Sequence, residues 1–275
     1  LQMIKRANRM MSLLVLAGIV TVGLLALGQA LAAEKAPPPP PPAATNSPQV
    51  GKSPVKVFIL AGQSNMEGHG TIKGPQKGTL ETFLKDPASA DRYKHLVGKD
   101  GKWIVRDDVW CVYWDDKGSL TPGRFAGSGN EIGPELGIGL NLGDYLDNQV
   151  LLIKVAVGGT SLAGNWRPPS SGGTVGGWYL EMIKGVKEQL KNLKTDFPGY
   201  DGKGYEIAGF CWHQGWQDGC GADMANEYET NMVNFIKDVR KDLGVPNMPF
   251  VIGGSGFGGW GQTIDRRLKI MQAQE

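Results

Sequence analysis

Apolar residues recur with two different periods along this chain, and the switching between them is its first structural signal. Short runs rich in β-branched residues at 55–61, 150–157, 206–212 and 249–252 have the length and composition of buried strands. Between them, apolar positions spaced three and four residues apart predict helices over 132–146, 179–194 and 223–243. In the second of these, Leu180, Ile183, Val186, Leu190 and Leu193 fall on one predicted face. Strands alternating with helices predict an α/β fold, specifically a three-layer α/β/α sandwich on a mainly parallel sheet with flavodoxin-like topology. Residues 80–129 are less regular, with one predicted strand at 109–114 in a side hairpin and excursion loops around it. No internal repeat is present.

The pattern before residue 55 is different in kind. Lys5, Arg6 and Arg9 precede an apolar run over 10–27, and Ala30-Leu31-Ala32 supplies a small-x-small sequence. Together these read as an export signal over 1–33. A membrane anchor is the competing reading, because 10–33 is long enough to span a bilayer. Either way, the reading puts the folded part outside the cytoplasm, secreted or periplasmic. Residues 34–54, with six consecutive prolines at 37–42 and further ones at Pro48 and Pro54, predict a semi-rigid extended spacer. The domain is therefore expected over 55–275.

Composition narrows the class of partner. The net charge is +2, with 29 Lys and Arg scattered among 27 Asp and Glu, so no basic stripe marks a nucleic-acid footprint. Forty-one glycines gather in loops, as a site built from turns requires. Of three cysteines, Cys211 and Cys220 are near enough in sequence to close a short disulfide loop in an exported protein. Three small buried hydrophobes are the alternative. No two Cys or His residues have zinc-ligand spacing, so no metal is expected.

In a parallel sheet, ligands collect where loops leave the carboxyl ends of the strands. The three longest predicted strands end in Gly62-Gln63-Ser64-Asn65-Met66, in Gly158-Gly159-Thr160-Ser161 and in His213-Gln214-Gly215-Trp216-Gln217-Asp218. A serine on a tight turn after a strand can present its hydroxyl to a cleft. Gly158 or Gly159 can offer a bare main-chain N–H, and Gln214 a neutral carboxamide, to the oxyanion of an acyl-transfer reaction. Such donors suit an ester carbonyl better than a phosphate, which calls for Lys, Arg or a glycine-rich cradle.

These residues resemble the SGNH (GDSL-like) hydrolases. Within them the chain is similar to the sialate O-acetylesterase and acetylxylan esterase branch, carbohydrate esterase family 6. The likeness runs in order through Ala61-Gly62-Gln63-Ser64-Asn65-Met66, Gly133-Pro134-Glu135, Val157-Gly158-Gly159-Thr160-Ser161 and Trp212-His213-Gln214-Gly215. The resemblance implies Ser64 as nucleophile, an oxyanion hole from the Ser64 N–H, the Gly158-Gly159 turn and Gln214, and an O-acetylated sugar or polysaccharide as substrate. It implies no metal and no organic cofactor.

Two departures shape the expectations. Trp216 stands where relatives often carry Glu, which points to a stacking surface for sugar. The family's histidine base belongs in a late Asp-x-x-His sequence, and none follows Gly253; with Leu1 first and Glu275 inside a helical pattern, the base and its Asp are expected beyond Glu275. Of the histidines present, His213 should point to the opposite face from Gln214, His69 has no evident carboxylate to orient it, and His95 reads as surface.

Trp166 and Arg167 read equally as sugar contacts or loop packing, Glu135 as a helix-dipole complement, and Asp218 as a loop-orienting group or a substrate contact. Two rivals to the esterase are kept: a non-catalytic glycan-binding protein using Trp166, Trp178 and Trp216, and a nucleotide-binding domain, which the absence of a phosphate loop weakens.

Overall fold

Strand β1, Lys52–Gly62, runs through the middle of a six-stranded sheet in the computed structural model, which describes residues 47–275. The export signal expected over 1–33 and the proline run at 37–42 lie outside the described residues. The other strands are β2 (Gly70–Thr71), β3 (Arg106–Tyr113), β4 (Asp116–Leu120), β5 (Glu131–Ile132), β6 (Asn148–Ala156), β7 (Tyr205–His213) and β8 (Phe250–Ile252). The helices are α1 (Ser64–Glu67), α2 (Leu80–Lys85), α3 (Ala90–Tyr93), α4 (Pro134–Tyr145), α5 (Gly177–Lys191), α6 (Leu193–Asp196), α7 (Ala222–Asp242) and α8 (Asp265–Gln274).

The large sheet has the order β4-β3-β6-β1-β7-β8, every pairing parallel except β3 with β4. The parallel strands thus follow a 2-3-1-4-5 order, a variation on the flavodoxin 2-1-3-4-5 arrangement. In register, Gly62 pairs with Ala156 on one side and with His213 on the other. Three strand ends therefore lie side by side at one edge.

Each face of the sheet buries its own core. Val57, Ile59, Trp110, Ile153 and Trp212 pack against Tyr179, Met182, Val186, Tyr228 and Phe235 of α5 and α7. On the opposite face, Leu60, Cys111 and Leu152 pack against Met66, Leu136 and Leu140 of α1 and α4. The period of two in the strands and of 3.6 in the helices accounts for this division. The result is the expected α/β/α arrangement.

Several expectations need correction. The strand predicted over 109–114 is not part of a side hairpin: β3 joins the main sheet beside β6, and β4 forms its antiparallel edge. Its residues are apolar on both faces, with Trp110 in one core and Val109 and Cys111 in the other, and such a strand must be covered on both sides. Leu180 is 54% exposed, because the larger Tyr179 and Met182 set the buried stripe of α5 with Ile183, Val186 and Leu190. Leu193 belongs to the separate α6. β1 starts at Lys52 rather than Val55, since Gln149 Oε1 accepts from both Val50 N and Gly51 N and draws the end of the spacer onto the sheet.

The three cysteines are free thiols, so the Cys211–Cys220 disulfide is absent. Cys211 lies within β7, where burial pushes its thiol up, while Cys220 sits past the strand end with Sγ donating to Trp216 O. No helix among the described residues is long and apolar enough to cross a membrane.

Candidate active site

Gly62 lets β1 and β7 approach closely: a Cβ there would lie 2.2 Å from His213 O. Gln63, next in the chain, locks the two strand ends together. Its N–H donates to His213 O at 3.1 Å, and its buried Oε1 accepts from Gly215 N at 3.2 Å and Gln217 N at 3.3 Å. Ser64 then opens the one-turn α1, half-buried at the sheet edge.

The far end of that turn is held by Lys154. Its ammonium donates to Glu67 O and Phe125 O, each at 2.7 Å, and to Glu135 Oε2 at 2.5 Å. The two side chains are 0% and 1% exposed. Burial pushes the Glu135 carboxyl up, against the opposing pull of Lys154. Glu135 is therefore the buried partner of Lys154, not a simple complement to the α4 dipole. The sequence signal was available, because Lys154 is the one charged residue in the run 150–157 and an ammonium buried there requires a partner.

The β6 strand end brings Gly158 against the serine turn. A Cβ on Gly158 would lie 3.7 Å from Ser64 Cβ and 3.1 Å from Glu67 Oε2. The Gly158 N–H donates to that Glu67 oxygen at 3.0 Å. Gly159 follows, exposed and at φ +70°, where a side chain would be strained. Ser64 and Gly158 are thus brought together as the sequence led one to expect.

Gln214 is placed differently. It is 1% exposed, and Nε2 donates to Thr160 O at 2.8 Å and to Asp218 Oδ2 at 2.6 Å. Both amide protons are spent inside the protein, which corrects its expected part as an oxyanion donor in this conformation. Its role here is to tie the β7 end to the loop after β6. Asp218 completes that tie by accepting from Leu162 N and Ala163 N, each at 2.9 Å. Burial raises the Asp218 carboxyl, while Gln214 and the two backbone donors act against the rise. Asp218 is a loop-orienting group, enclosed and out of reach of substrate.

Trp166 and Arg167 also prove to be loop scaffolding. The Trp166 indole is fully buried and donates to Thr160 Oγ1 at 2.8 Å. Arg167 donates to Ala163 O, Ser171 O, Gly172 O and Glu227 Oε2, which engages four of its five N–H groups inside the protein. Of the two readings held for these residues, loop packing is the one their hydrogen bonds support. Trp216 is different: it is 47% exposed between the two residues that bond Gln63, and stacks on Phe257 at 5.1 Å.

The histidines divide as follows. His213 and Gln214 do point to opposite faces: the His213 ring packs against Gly253, and burial pushes its pKa down. His95 is exposed on a short turn. His69, expected to lack an orienting carboxylate, has two: Nδ1 is 3.4 Å from Glu131 Oε1 and Nε2 is 3.8 Å from Glu67 Oε2. The short β2–β5 pairing brings Glu131 to it, a contact across 62 residues that no local pattern foretells. Among the described residues no cluster of His, Cys, Asp and Glu is arranged to hold a metal ion.

Comparison with known proteins bears on the family and the fold. The model of a family described as carbohydrate esterase, sialic acid-specific acetylesterase, matches residues 54–272. A probable carbohydrate esterase of Arabidopsis thaliana is 27% identical over 204 residues, spanning 72% of this chain and 68% of its own. A solved Arabidopsis thaliana structure superposes with a TM-score of 0.54 at 21% identity, over 81% of this chain and 82% of that one. NanS does so at 0.52 and 15%, over 81% and 74%. A carbohydrate acetylesterase from Xanthomonas citri gives 0.50 at 13%, over 80% of this chain and 46% of its own. At such identities these structures speak to the fold.

Proposed function

The chain belongs to the carbohydrate esterase, sialic acid-specific acetylesterase family, and from that membership we propose that it removes O-acetyl groups from carbohydrate through an acyl-enzyme on Ser64. The observation that carries the reading is the closeness of Ser64 to the bare main chain at Gly158. The Ser64 oxygen attacks the acetyl carbon, its proton passes to a histidine, and the carbonyl electron pair moves onto oxygen. Donors at that oxygen are the N–H groups of Ser64 and of the Gly158-Gly159 turn, each such donor being worth roughly 10²–10³ in rate. Collapse of the adduct expels the sugar alkoxide, which takes up the proton; water then cleaves acetyl-Ser64 and releases acetate. Glu67 occupies the Gly158 N–H in the free protein, so substrate displaces its carboxylate.

The family resemblance implies a histidine base from a late Asp-x-x-His sequence. One observation favours a second reading, in which His69, flanked by Glu131 and Glu67, takes the proton instead. The N-terminal pattern supports work outside the cytoplasm, and exposed Trp216 supports a sugar contact. The test is acetate release from O-acetylated sugars. Wild type should release acetate, Ser64→Ala should not, and equal release by both would refute the assignment. His69→Ala should keep its rate if another histidine is the base and lose about 10²–10⁴-fold if His69 is the base.

A further inference from the structure

We propose that Trp114 and Trp178 form a binding subsite for a pyranose ring next to the acetylated one, so that the substrate is an oligosaccharide rather than a single sugar. The inference rests on the esterase reading for the identity of its ligand, and on the geometry of these two residues for its position.

Trp114 follows β3 at the same carboxyl edge that carries Ser64 and Gly158. Its φ is +55°, a left-handed conformation strained for a bulky L-residue and met more readily by Gly or Asn. A turn alone therefore does not call for tryptophan. The indole is nonetheless 50% exposed, and it is held in place. Trp178 meets it edge-on at 5.7 Å and 65°, and the Tyr113 ring lies 5.7 Å away. Behind Trp178 stand the buried Trp166 at 6.5 Å and, 5.4 Å further, Trp212. Four indoles thus step from the core to the surface and present the outermost one rigidly. An indole fixed in water is suited to the C–H-rich face of a sugar, whose weakly positive hydrogens meet the negative face of the ring.

Position decides which sugar ring it meets. β3 is two strands from β1, so the platform lies about 10 Å from the serine edge. The Tyr113 hydroxyl donates to Ala156 O at 3.4 Å, two residues before Gly158. Burial, with the Glu67 charge adding to it, pushes that hydroxyl up. The platform is therefore continuous with the catalytic edge and one ring removed from it.

Trp114→Gly is the informative variant, because glycine relieves the backbone strain and the fold should hold or gain in thermal midpoint. The quantity to read is the ratio of kcat/KM on an O-acetylated tetrasaccharide to kcat/KM on 4-nitrophenyl acetate. It should fall about tenfold through a higher KM, with Trp114→Phe recovering part of the loss. An unchanged ratio would overturn the subsite. If wild type cleaves neither ester, the esterase reading fails, and calorimetric titration with the unacetylated tetrasaccharide tests the platform alone. Binding by wild type that is lost in Trp114→Gly would support it, whereas equal binding by both, or none by either, would overturn it.

Discussion

Glu67 Oε2 accepts the Gly158 N–H at 3.0 Å, so a main-chain donor beside Ser64 is capped by a carboxylate from the serine's own turn. An amide oxygen competes for that donor less strongly than a carboxylate does, because hydrogen bonds to charged acceptors are roughly twice as strong. Glu67→Gln is therefore expected to raise kcat/KM on 4-nitrophenyl acetate by about fivefold. Steady-state kinetics read this directly, and a fall instead would mean that the carboxylate assists the reaction.

Lys154 secures that turn from below. Replacing it with Met leaves buried Glu135 unpaired and two carbonyls, Glu67 O and Phe125 O, without their donor. Loss of one partner of a buried pair costs about 3–5 kcal/mol. Urea unfolding should show a loss of that size in Lys154→Met, and the double variant Lys154→Met with Glu135→Leu should recover most of it.

His213 makes the protein sensitive to acid. Burial lowers its pKa from the ordinary 6.5, so the unfolded chain takes up a proton before the folded one does. Stability linked to this group is complete above pH 6.5 and is lost as pH falls through the window between the unfolded and the lower folded value. The thermal midpoint of His213→Asn should accordingly vary less between about pH 7.5 and about pH 5.5 than that of wild type.

Trp166 distinguishes scaffolding from sugar contact. Fully buried and bonded to Thr160, it should cost about 3–5 kcal/mol of stability when replaced by Ala. A variant with unaltered denaturant midpoint and a raised KM for acetylated sugar would contradict the buried role.

What could be read from the chain was what periodicity and strand ends dictate. The buried runs located β1, β6 and β7, and the glycines and serine at their carboxyl ends marked the edge where Ser64 and Gly158 meet. Side chains with hydrogen-bonding capacity were harder to place, since their partners come from distant loops. Gln214 looked free until Thr160 and Asp218 claimed its amide. Arg167 looked available until the loop closed on itself through Gly172 and Ser171. His69 gained Glu131 from a two-residue strand too short to leave a pattern. Lys154 was legible in principle, as an isolated charge inside an apolar run, and needed only the question of what it pairs with.

The covalent intermediate is the most direct test of the whole account. Rapid acid quenching of the protein during turnover of 4-nitrophenyl acetate, followed by peptide mass analysis, should find one added acetyl group on the peptide containing Ser64 and none in Ser64→Ala. Steady acetate release with no acetylated Ser64 at any quench time, or an equal adduct in the alanine variant, would contradict it.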